Sequence, residues 1–123
     1  MSDDDDDDAA SALRLILADD HAVVRSGLRA LLENEADFEV VAEAGDVPTT
    51  RRVVLGHKPD VLVLDLNMPG GDSLESIPAF QEASPDTKIV VLTMQQDPAF
   101  AREALRRGVL GYVLKESAHD ELV

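Results

Sequence analysis

The chain has 123 residues and a formal net charge of −14, from 11 basic and 25 acidic residues. This length predicts one domain, and a hydrophobic fraction of 45% argues against global disorder. The sequence has no cysteine, which excludes a disulfide scaffold, a thiolate metal site and a cysteine nucleophile. The acidic charge disfavours direct binding to nucleic acid. No apolar run reaches the roughly 18 residues of a membrane span, so a cytoplasmic protein is expected.

Residues 1–12 predict a disordered acidic tail. Asp3 to Asp8 are six adjacent carboxylates that repel one another, with little apolar surface nearby to bury. A weak cation-collecting arm is the functional alternative. The folded domain is therefore expected over residues 13–123.

From Leu13 onward, short apolar runs alternate with helical patterns. Strands are predicted at 13–18, 38–44, 61–66, 88–93 and 111–114, and helices at 22–35, 48–56, 73–83 and 98–107. Gly56 is expected to end the second helix, and Asp72 to cap the third. Pro78 should kink the third helix or lie near its start. Ser117 and Asp120 form a capping box for a fifth helix that is truncated.

The apolar texture of the central strands predicts the fold class. Residues 61–64 and 89–92 are apolar at successive positions, which is typical of a parallel sheet covered on both faces. Parallel strands need crossovers, here helical and right-handed. The predicted fold is an α/β doubly wound sandwich with five parallel strands, for which the order 2-1-3-4-5 is a common solution.

Polar residues collect at the carboxyl ends of these strands. Asp19 and Asp20 follow the first strand, Asp65 ends the third, Thr93 ends the fourth and Lys115 follows the fifth. In the predicted order the first and third strands are neighbours and form the topological switch point, where ligands bind. Because strands lie about 4.8 Å apart, the three carboxylates are expected to lie close together.

Three neighbouring carboxylates repel, so either one takes up a proton or a cation lies among them. An all-oxygen donor set favours a hard ion, and Mg²⁺ fits best because it needs only one or two carboxylates. Lys115 and the Thr93 hydroxyl beside such an ion would hold an anion. Asp65 could then act as a nucleophile towards phosphorus.

Each residue also has an ordinary structural interpretation. An Asp-Asp pair after a strand is often a helix N-cap, a strand threonine is common, and lysine is usually solvated. Asp65 differs because a carboxylate inside an apolar strand is costly to bury without a partner. His21 is interpreted as a surface residue that opens the first helix, not as a general base. The shared edge of the sheet favours a functional site.

Together these residues resemble the receiver domain of a two-component response regulator. The resemblance covers Leu13 to the C-terminus and depends on Asp19-Asp20, VLVLDLNMPGGD around Asp65, VVLT ending in Thr93, and GYVLK ending in Lys115. The segment ILADDHAVVRSGLRALL is similar to the NarL/FixJ (LuxR-type) subfamily. Glu116 stands where many receivers carry proline, although other residues are common in that subfamily.

The resemblance implies a flavodoxin-like receiver fold with a metal site. Asp65 matches the phospho-acceptor. Asp20 and Asp65 match the carboxylate ligands of Mg²⁺, and Asp19 would act through water or more weakly. Asn67 matches the position that ligates through its backbone carbonyl. Mn²⁺ is the alternative ion.

The resemblance also implies the parts of a switch. Thr93 matches the hydroxyl that moves towards the phosphoryl oxygens, and Lys115 matches the phosphate-binding cation. Tyr112 matches the aromatic residue whose ring moves inward when Thr93 is engaged. Met94 and Gln95 either tune dephosphorylation or are ordinary loop residues.

The implied function is a phosphorylation-switched signalling domain, not an enzyme with a separate substrate. A sensor histidine kinase or a small phosphodonor would phosphorylate Asp65, and the domain would catalyse its own phosphorylation and dephosphorylation. A helix-turn-helix output domain outside this chain would bind DNA. The truncated fifth helix would expose an apolar surface for a homodimer or a domain swap.

Three other functions share parts of the pattern. A Mg²⁺-dependent phosphohydrolase or phosphotransferase typically needs a general acid two residues after its nucleophile, where this chain has Asn67. A phosphorylation-independent interaction module of the same fold would not need the acidic residues, Thr93 or Lys115. A flavodoxin-like cofactor binder needs glycine and hydroxyl groups after the first strand, where this chain has Asp19 and Asp20.

Overall fold

The computed structural model describes residues 12–66, 68–93 and 98–114. Strands and helices alternate through these ranges, as the sequence predicts. The elements are β1 (Leu13–Ala18), α1 (Ala22–Glu33), β2 (Phe38–Ala44), α2 (Val47–His57), β3 (Val61–Asp65), α3 (Ser73–Ala83), β4 (Lys88–Thr93), α4 (Pro98–Arg106) and β5 (Gly111–Leu114). The predicted acidic tail, apart from residue 12, and the predicted fifth helix lie outside the described residues.

All neighbouring strands pair in parallel, in the order β2-β1-β3-β4-β5. The predicted α/β fold and strand order are therefore confirmed. The register pairs Ala18 with Leu64 and Asp65 with Leu92, so β1, β3 and β4 end at the same edge of the sheet. This edge is the one at which the polar residues were expected to collect.

Alternate residues of the central strands supply two separate apolar layers. One layer packs against α2, α3 and α4, and the other packs against α1. The first contains Ile16, Leu62, Leu64, Ile89 and Val91 with Val54, Ile77, Phe80 and Ala104, and the second contains Leu15, Leu17, Val63 and Leu92 with Leu28 and Leu32. Burial on both faces explains why these strands are apolar at successive positions.

Four helix ends differ by one or two residues from the predicted ones: the end of α1, both ends of α2 and the end of α4. The first helix ends at Glu33 instead of Glu35, with Asn34 as its C-cap residue, whose backbone N–H donates to the carbonyl of Ala30 at 3.1 Å. Gly56 does not end the second helix, so that prediction is wrong. The helix runs to His57, and Lys58 takes a left-handed conformation with a φ of 45°. Pro59 follows it, which disfavours right-handed helical geometry at residue 58.

Asp72 caps α3 as predicted, because its side chain accepts a hydrogen bond from the backbone N–H of Glu75 at 3.2 Å. Pro78 lies inside this helix, at its sixth residue, instead of near its start. Its ring nitrogen carries no hydrogen, so it gives no hydrogen bond to the turn before it. Within the described residues, no helix has the length and apolar character needed to cross a membrane.

Candidate functional site

An acidic cluster lies where β1 and β3 end side by side. Asp19, Asp20, His21 and Asp65 each offer a ligand atom, and these atoms all lie within 4.8 Å of one another. Asp19 is 1% exposed and Asp65 is fully buried, whereas Asp20 lies at the open rim. The arrangement follows from the register, because Ala18 pairs with Leu64 and the next residues of the two strands are Asp19 and Asp65.

The backbone around Asp19 is held on several sides. Its N–H donates to the carbonyl of Ala44 in β2 at 2.9 Å. Its carboxylate oxygen Oδ1 accepts a hydrogen bond from the backbone N–H of His21 at 2.7 Å. These bonds orient the Asp19 carboxylate while the chain turns from β1 into α1.

His21 is the N-cap residue of α1, and its side chain is 60% exposed. This position agrees with its interpretation as a surface residue that opens the helix. The ring also lies against the acidic pair, with Nδ1 at 3.1 Å from Asp20 Oδ1 and at 3.4 Å from Asp19 Oδ1.

The donor set of this cluster fits a hard divalent cation. Two buried carboxylates beside a third at the rim repel one another, and a cation relieves that repulsion. Mg²⁺ prefers oxygen ligands and keeps several of its waters, so it suits a site that is open on one side. Asp19, Asp20 and Asp65 are the side chains that could hold it.

The sheet also fixes the backbone positions of two further predicted residues. Thr93 is the last residue of β4 and pairs with Leu114, so it lies one residue beyond the position that faces Asp65. Tyr112 lies in β5 opposite Val91. Asn67, Lys115, Met94 and Gln95 lie outside the described residues.

Three charged residues that are not among the predicted site residues, Arg25, Arg29 and Glu43, form a hydrogen-bonded network beside the acidic cluster. The Arg25 guanidinium donates from Nη1 to the backbone carbonyl of Asp19, and from Nε to Glu43 Oε1 at 2.8 Å. Arg29 donates from Nη1 to the other oxygen of Glu43. A signal was present in the sequence, because Glu43 is a charge near the end of a mostly apolar strand and two arginines lie one turn apart in α1.

Glu43 remains ionised in this arrangement. Burial on its own raises the pKa of the Glu43 carboxyl, but hydrogen bonds from Arg29 and Arg25 outweigh it and hold that pKa below the ordinary value. The same contact with Glu43, followed by one with Glu33, raises the pKa of Arg29. The cluster is therefore flanked by a fixed set of alternating charges.

The loop that follows Asp65 is tied to α2. The backbone N–H of Val47 donates to the carbonyl of Pro69 at 3.0 Å. Gly70 has a φ of 90°, and a Cβ there would lie 2.6 Å from Pro48 Cδ. Only glycine fits this position, because both the left-handed backbone and the close approach exclude a side chain.

Asp46 fixes the start of α2 beside this loop. Its Oδ1 accepts a hydrogen bond from the backbone N–H of Thr49 at 2.7 Å. That bond is the main reason why the pKa of the Asp46 carboxyl lies below its ordinary value. The loops at this edge of the sheet are thus held by caps and backbone bonds.

Comparison with known sequences agrees with the geometry. Residues 15–123 match the family described as the response regulator receiver domain. The oxygen regulatory protein NreC of Staphylococcus epidermidis is 45% identical over 112 residues, which cover 90% of this chain and 51% of that protein. The chain thus spans about half the length of the curated relatives that it matches.

Solved structures give the same result. The receiver domain of the putative response regulator NarL from Mycobacterium tuberculosis is 31% identical, with a TM-score of 0.85, covering 92% of this chain and 91% of that one. The isolated receiver domain of RcsB from Salmonella enterica serovar Typhimurium, solved with the phosphomimetic BeF3−, is 34% identical, with a TM-score of 0.83, covering 89% and 82%. The chain therefore belongs to the response regulator receiver domain family, among relatives of the NarL and LuxR type.

Proposed function

We propose that this chain accepts a phosphoryl group on Asp65 in a Mg²⁺-dependent reaction, with a sensor histidine kinase as the donor. The proposal depends on one observation, the grouping of Asp19, Asp20 and Asp65 at the switch point between β1 and β3. As a receiver domain, the chain is a signalling domain of a two-component system. Phosphorylation and its reversal would be carried out by the domain on itself.

The transfer step uses the Asp65 carboxylate as nucleophile. One carboxylate oxygen attacks phosphorus, an O–P bond forms, and the N–P bond of the donor phosphohistidine breaks with its electron pair on the imidazole nitrogen. Burial of Asp65 limits the orientations of its carboxylate and excludes competing water from that side. Asp19, oriented by the His21 N–H, and Asp20 at the rim provide the neighbouring negative charge that would hold a cation.

Asp19, Asp20 and Asp65 would hold the Mg²⁺, together with the backbone carbonyl of Asn67. When bound, Mg²⁺ would neutralise charge on the oxygens of the transferred group. Mn²⁺ has a similar preference for oxygen ligands and is the alternative ion. Small phosphodonors such as acetyl phosphate would react at the same carboxylate.

The switch would run from β4 to β5. Thr93 and Lys115 would bind the phosphoryl oxygens through charge-assisted and hydroxyl hydrogen bonds. Thr93 ends β4, and Tyr112 lies in the adjacent strand β5 opposite Val91, two residues before Thr93 in the register. Their movement would shift the surface around α4 and β5 between two populations. The RcsB relative solved with BeF3− supports the idea that such domains bind a phosphoryl-like group.

The output of this switch would lie outside the chain. This chain spans about half the length of the NreC relatives. We propose that the other half of such a protein is a DNA-binding output domain. This chain itself carries a net charge of −14, which opposes DNA binding. We place residues 1–12 as an acidic tail and the receiver from residue 13, in the cytoplasm.

Mass spectrometry of the intact chain tests the proposal. After incubation with acetyl phosphate and Mg²⁺, the native chain is expected to gain the mass of one phosphoryl group, and Asp65→Asn is expected to gain none. Asp86→Asn is the matched control, because Asp86 is an exposed carboxylate in the turn before β4, at the opposite edge of the sheet. Equal labelling of Asp65→Asn and the native chain would show that the acceptor is wrong.

A further inference from the structure

We infer that Arg25 is a positioning residue for the acidic cluster, which holds the backbone at Asp19 and thereby raises the affinity of the site for a divalent cation. The inference rests on the proposed function, because it concerns the same metal site. Arg25 itself would touch neither the cation nor the phosphoryl group.

The first observation is the set of elements that Arg25 joins. Its side chain is 23% exposed and leaves α1 in the first turn of the helix. One guanidinium nitrogen donates to the carbonyl of Asp19, and another donates to Glu43 at 2.8 Å. Arg25 therefore connects the loop after β1, the end of β2 and the start of α1.

The second observation is the space that Gly45 leaves for this contact. A Cβ at position 45 would lie 3.3 Å from Arg25 Nη1, 3.9 Å from the Asp19 carbonyl oxygen and 4.0 Å from Asp20 Cα. Gly45 is not among the described glycines with a positive φ, so its backbone does not require glycine. The close approach of the guanidinium to the acidic loop is the reason for a small residue here.

The third observation is that the far end of the contact is fixed. Glu43 is held by both Arg25 and Arg29, and these hydrogen bonds keep it ionised. The guanidinium therefore has a rigid anchor on β2. The backbone of Asp19 is thus held twice: its carbonyl accepts from the Arg25 guanidinium, and its N–H donates to the carbonyl of Ala44.

Holding the loop backbone has a thermodynamic consequence. A loop that is already ordered loses less conformational entropy when its carboxylates close around a cation. Contacts that orient metal ligands from behind typically account for a 10- to 100-fold difference in metal affinity. Positioning by Arg25 should therefore strengthen cation binding.

The charge of Arg25 has the opposite effect, which makes the inference testable by sign. A guanidinium near the site repels a divalent cation, so its removal by itself would tighten cation binding. If positioning dominates, removal weakens binding instead. The direction of change in Mg²⁺ affinity therefore separates the two roles.

The experiment measures Mg²⁺ affinity by titration calorimetry on the full chain. Arg25→Gln is expected to weaken binding about tenfold. The matched control is Arg29→Gln, because Arg29 carries the same charge and shares the Glu43 partner, but bonds to Glu33 where Arg25 bonds to the Asp19 carbonyl. Its Mg²⁺ affinity is expected to change less than about twofold. Arg25→Lys keeps the charge with a single donor group and is expected to recover part of the loss.

A second variant covers the case in which Arg25→Gln does not fold. Gly45→Ala retains every charge and places a Cβ 3.3 Å from Arg25 Nη1, so the guanidinium must shift by a few tenths of an ångström and Mg²⁺ binding is expected to weaken in the same direction. Unchanged or tighter binding by Arg25→Gln or Gly45→Ala would overturn the inference, and so would equal weakening by Arg25→Gln and Arg29→Gln. If the native chain itself neither binds Mg²⁺ nor takes up phosphate, the proposed function fails instead.

Discussion

Asp19 and Asp65 are buried carboxylates whose ligand atoms lie within 4.8 Å of each other, with Asp20 at the rim. Burial and like-charge repulsion both raise the free energy of such a cluster in its ionised form. The fold tolerates this cost because the residues lie at strand ends, where the apolar layers stop. A cation bound between these carboxylates would remove part of this cost, so the domain is expected to be more stable with the ion than without it.

Replacing Asp20 by asparagine tests the electrostatic cost directly. The change removes one negative charge, so the metal-free domain is expected to gain about 0.5–1 kcal/mol of stability. The same variant should lose most of the stabilisation by Mg²⁺, which for the native chain is about 2.7 kcal/mol at a hundredfold excess over Kd. Thermal melting with EDTA and then with Mg²⁺ measures both effects.

Two results would contradict this expectation. One is a native melting temperature that does not respond to Mg²⁺. The other is an Asp20→Asn variant that keeps the full Mg²⁺ response, since it would place the ion elsewhere.

Gly70→Ala probes the loop that follows the candidate acceptor. The substitution forces a Cβ to within 2.6 Å of Pro48 Cδ at a φ of 90°, and it is expected to destabilise the domain by about 1–3 kcal/mol. Urea denaturation gives the change in the free energy of unfolding.

Gly56→Ala is the matched control for that substitution. Gly56 lies inside α2, and apart from the adjacent residues and the backbone of its own helix, no atom would lie within 4 Å of a Cβ there. The variant is expected to gain about 0.5–1 kcal/mol, because alanine is the better helix former. A Gly70→Ala variant as stable as the native chain would mean that the loop moves freely.

Single residues also mark what sequence alone could not supply. The grouping of Asp19, Asp20 and Asp65 can be inferred from strand ends, because parallel strands end at one edge. The hydrogen bond from Arg25 to the Asp19 carbonyl cannot be inferred in this way, because it depends on the rotamer of the arginine and on the backbone geometry of the turn after β1. Thr93 and Lys115 keep the status of predictions, because their roles depend on side-chain positions outside the described part of the chain.

At the scale of elements, the strands and the bounds of α3 are predictable from the sequence, whereas the ends of α1 and α2 are not. β3 and β4 are apolar at successive positions because each contributes to two layers, so their pattern is distinctive. The end of α2 was misplaced at Gly56 because glycine is the common residue there. Instead of a glycine, Lys58 takes the left-handed conformation that ends the helix, and its backbone N–H donates to the carbonyl of Val54 at 2.8 Å.

The cap of α2 gives a prediction about pH. Asp46 has a lowered pKa in the folded domain, chiefly because the backbone N–H of Thr49 donates to it. The stabilisation by the ionised Asp46 carboxylate is complete above the pKa that this group has in the unfolded chain. It is lost as the pH falls through the lower pKa that the group has in the folded domain. Asp46→Asn still caps the helix but does not ionise. The stability of the native chain relative to this variant should therefore fall as the pH drops through the ordinary pKa of aspartate, about 3.9, and continue to fall below it.

Thermal melting of both chains across this pH range measures the difference. Asp46→Ala provides the reference without a cap and should be less stable than both at neutral pH. A constant difference between the native chain and Asp46→Asn would show that the Asp46 carboxylate does not hold the helix in its ionised form.

At the scale of the whole molecule, the strand order decides the place of the site. β2 lies on one side of β1 in the sheet, whereas β3, β4 and β5 lie on the other side. The connections that follow β1 and β3 therefore lead to opposite sides and leave a crevice at the carboxyl ends of these two strands. The acidic loop of β1 and the buried Asp65 of β3 meet in that crevice. The order itself was predictable from five apolar strands separated by helices, because few topologies satisfy right-handed crossovers.

The most direct test is to locate the acyl phosphate in the phosphorylated chain. Sodium borohydride reduces an aspartyl phosphate to homoserine, which peptide mass spectrometry assigns to a position. After acetyl phosphate and Mg²⁺, conversion is expected at Asp65 alone, and it should disappear when EDTA replaces Mg²⁺. Conversion at Asp19 or Asp20, or no conversion in a chain that binds Mg²⁺, would contradict Asp65 as the phospho-acceptor.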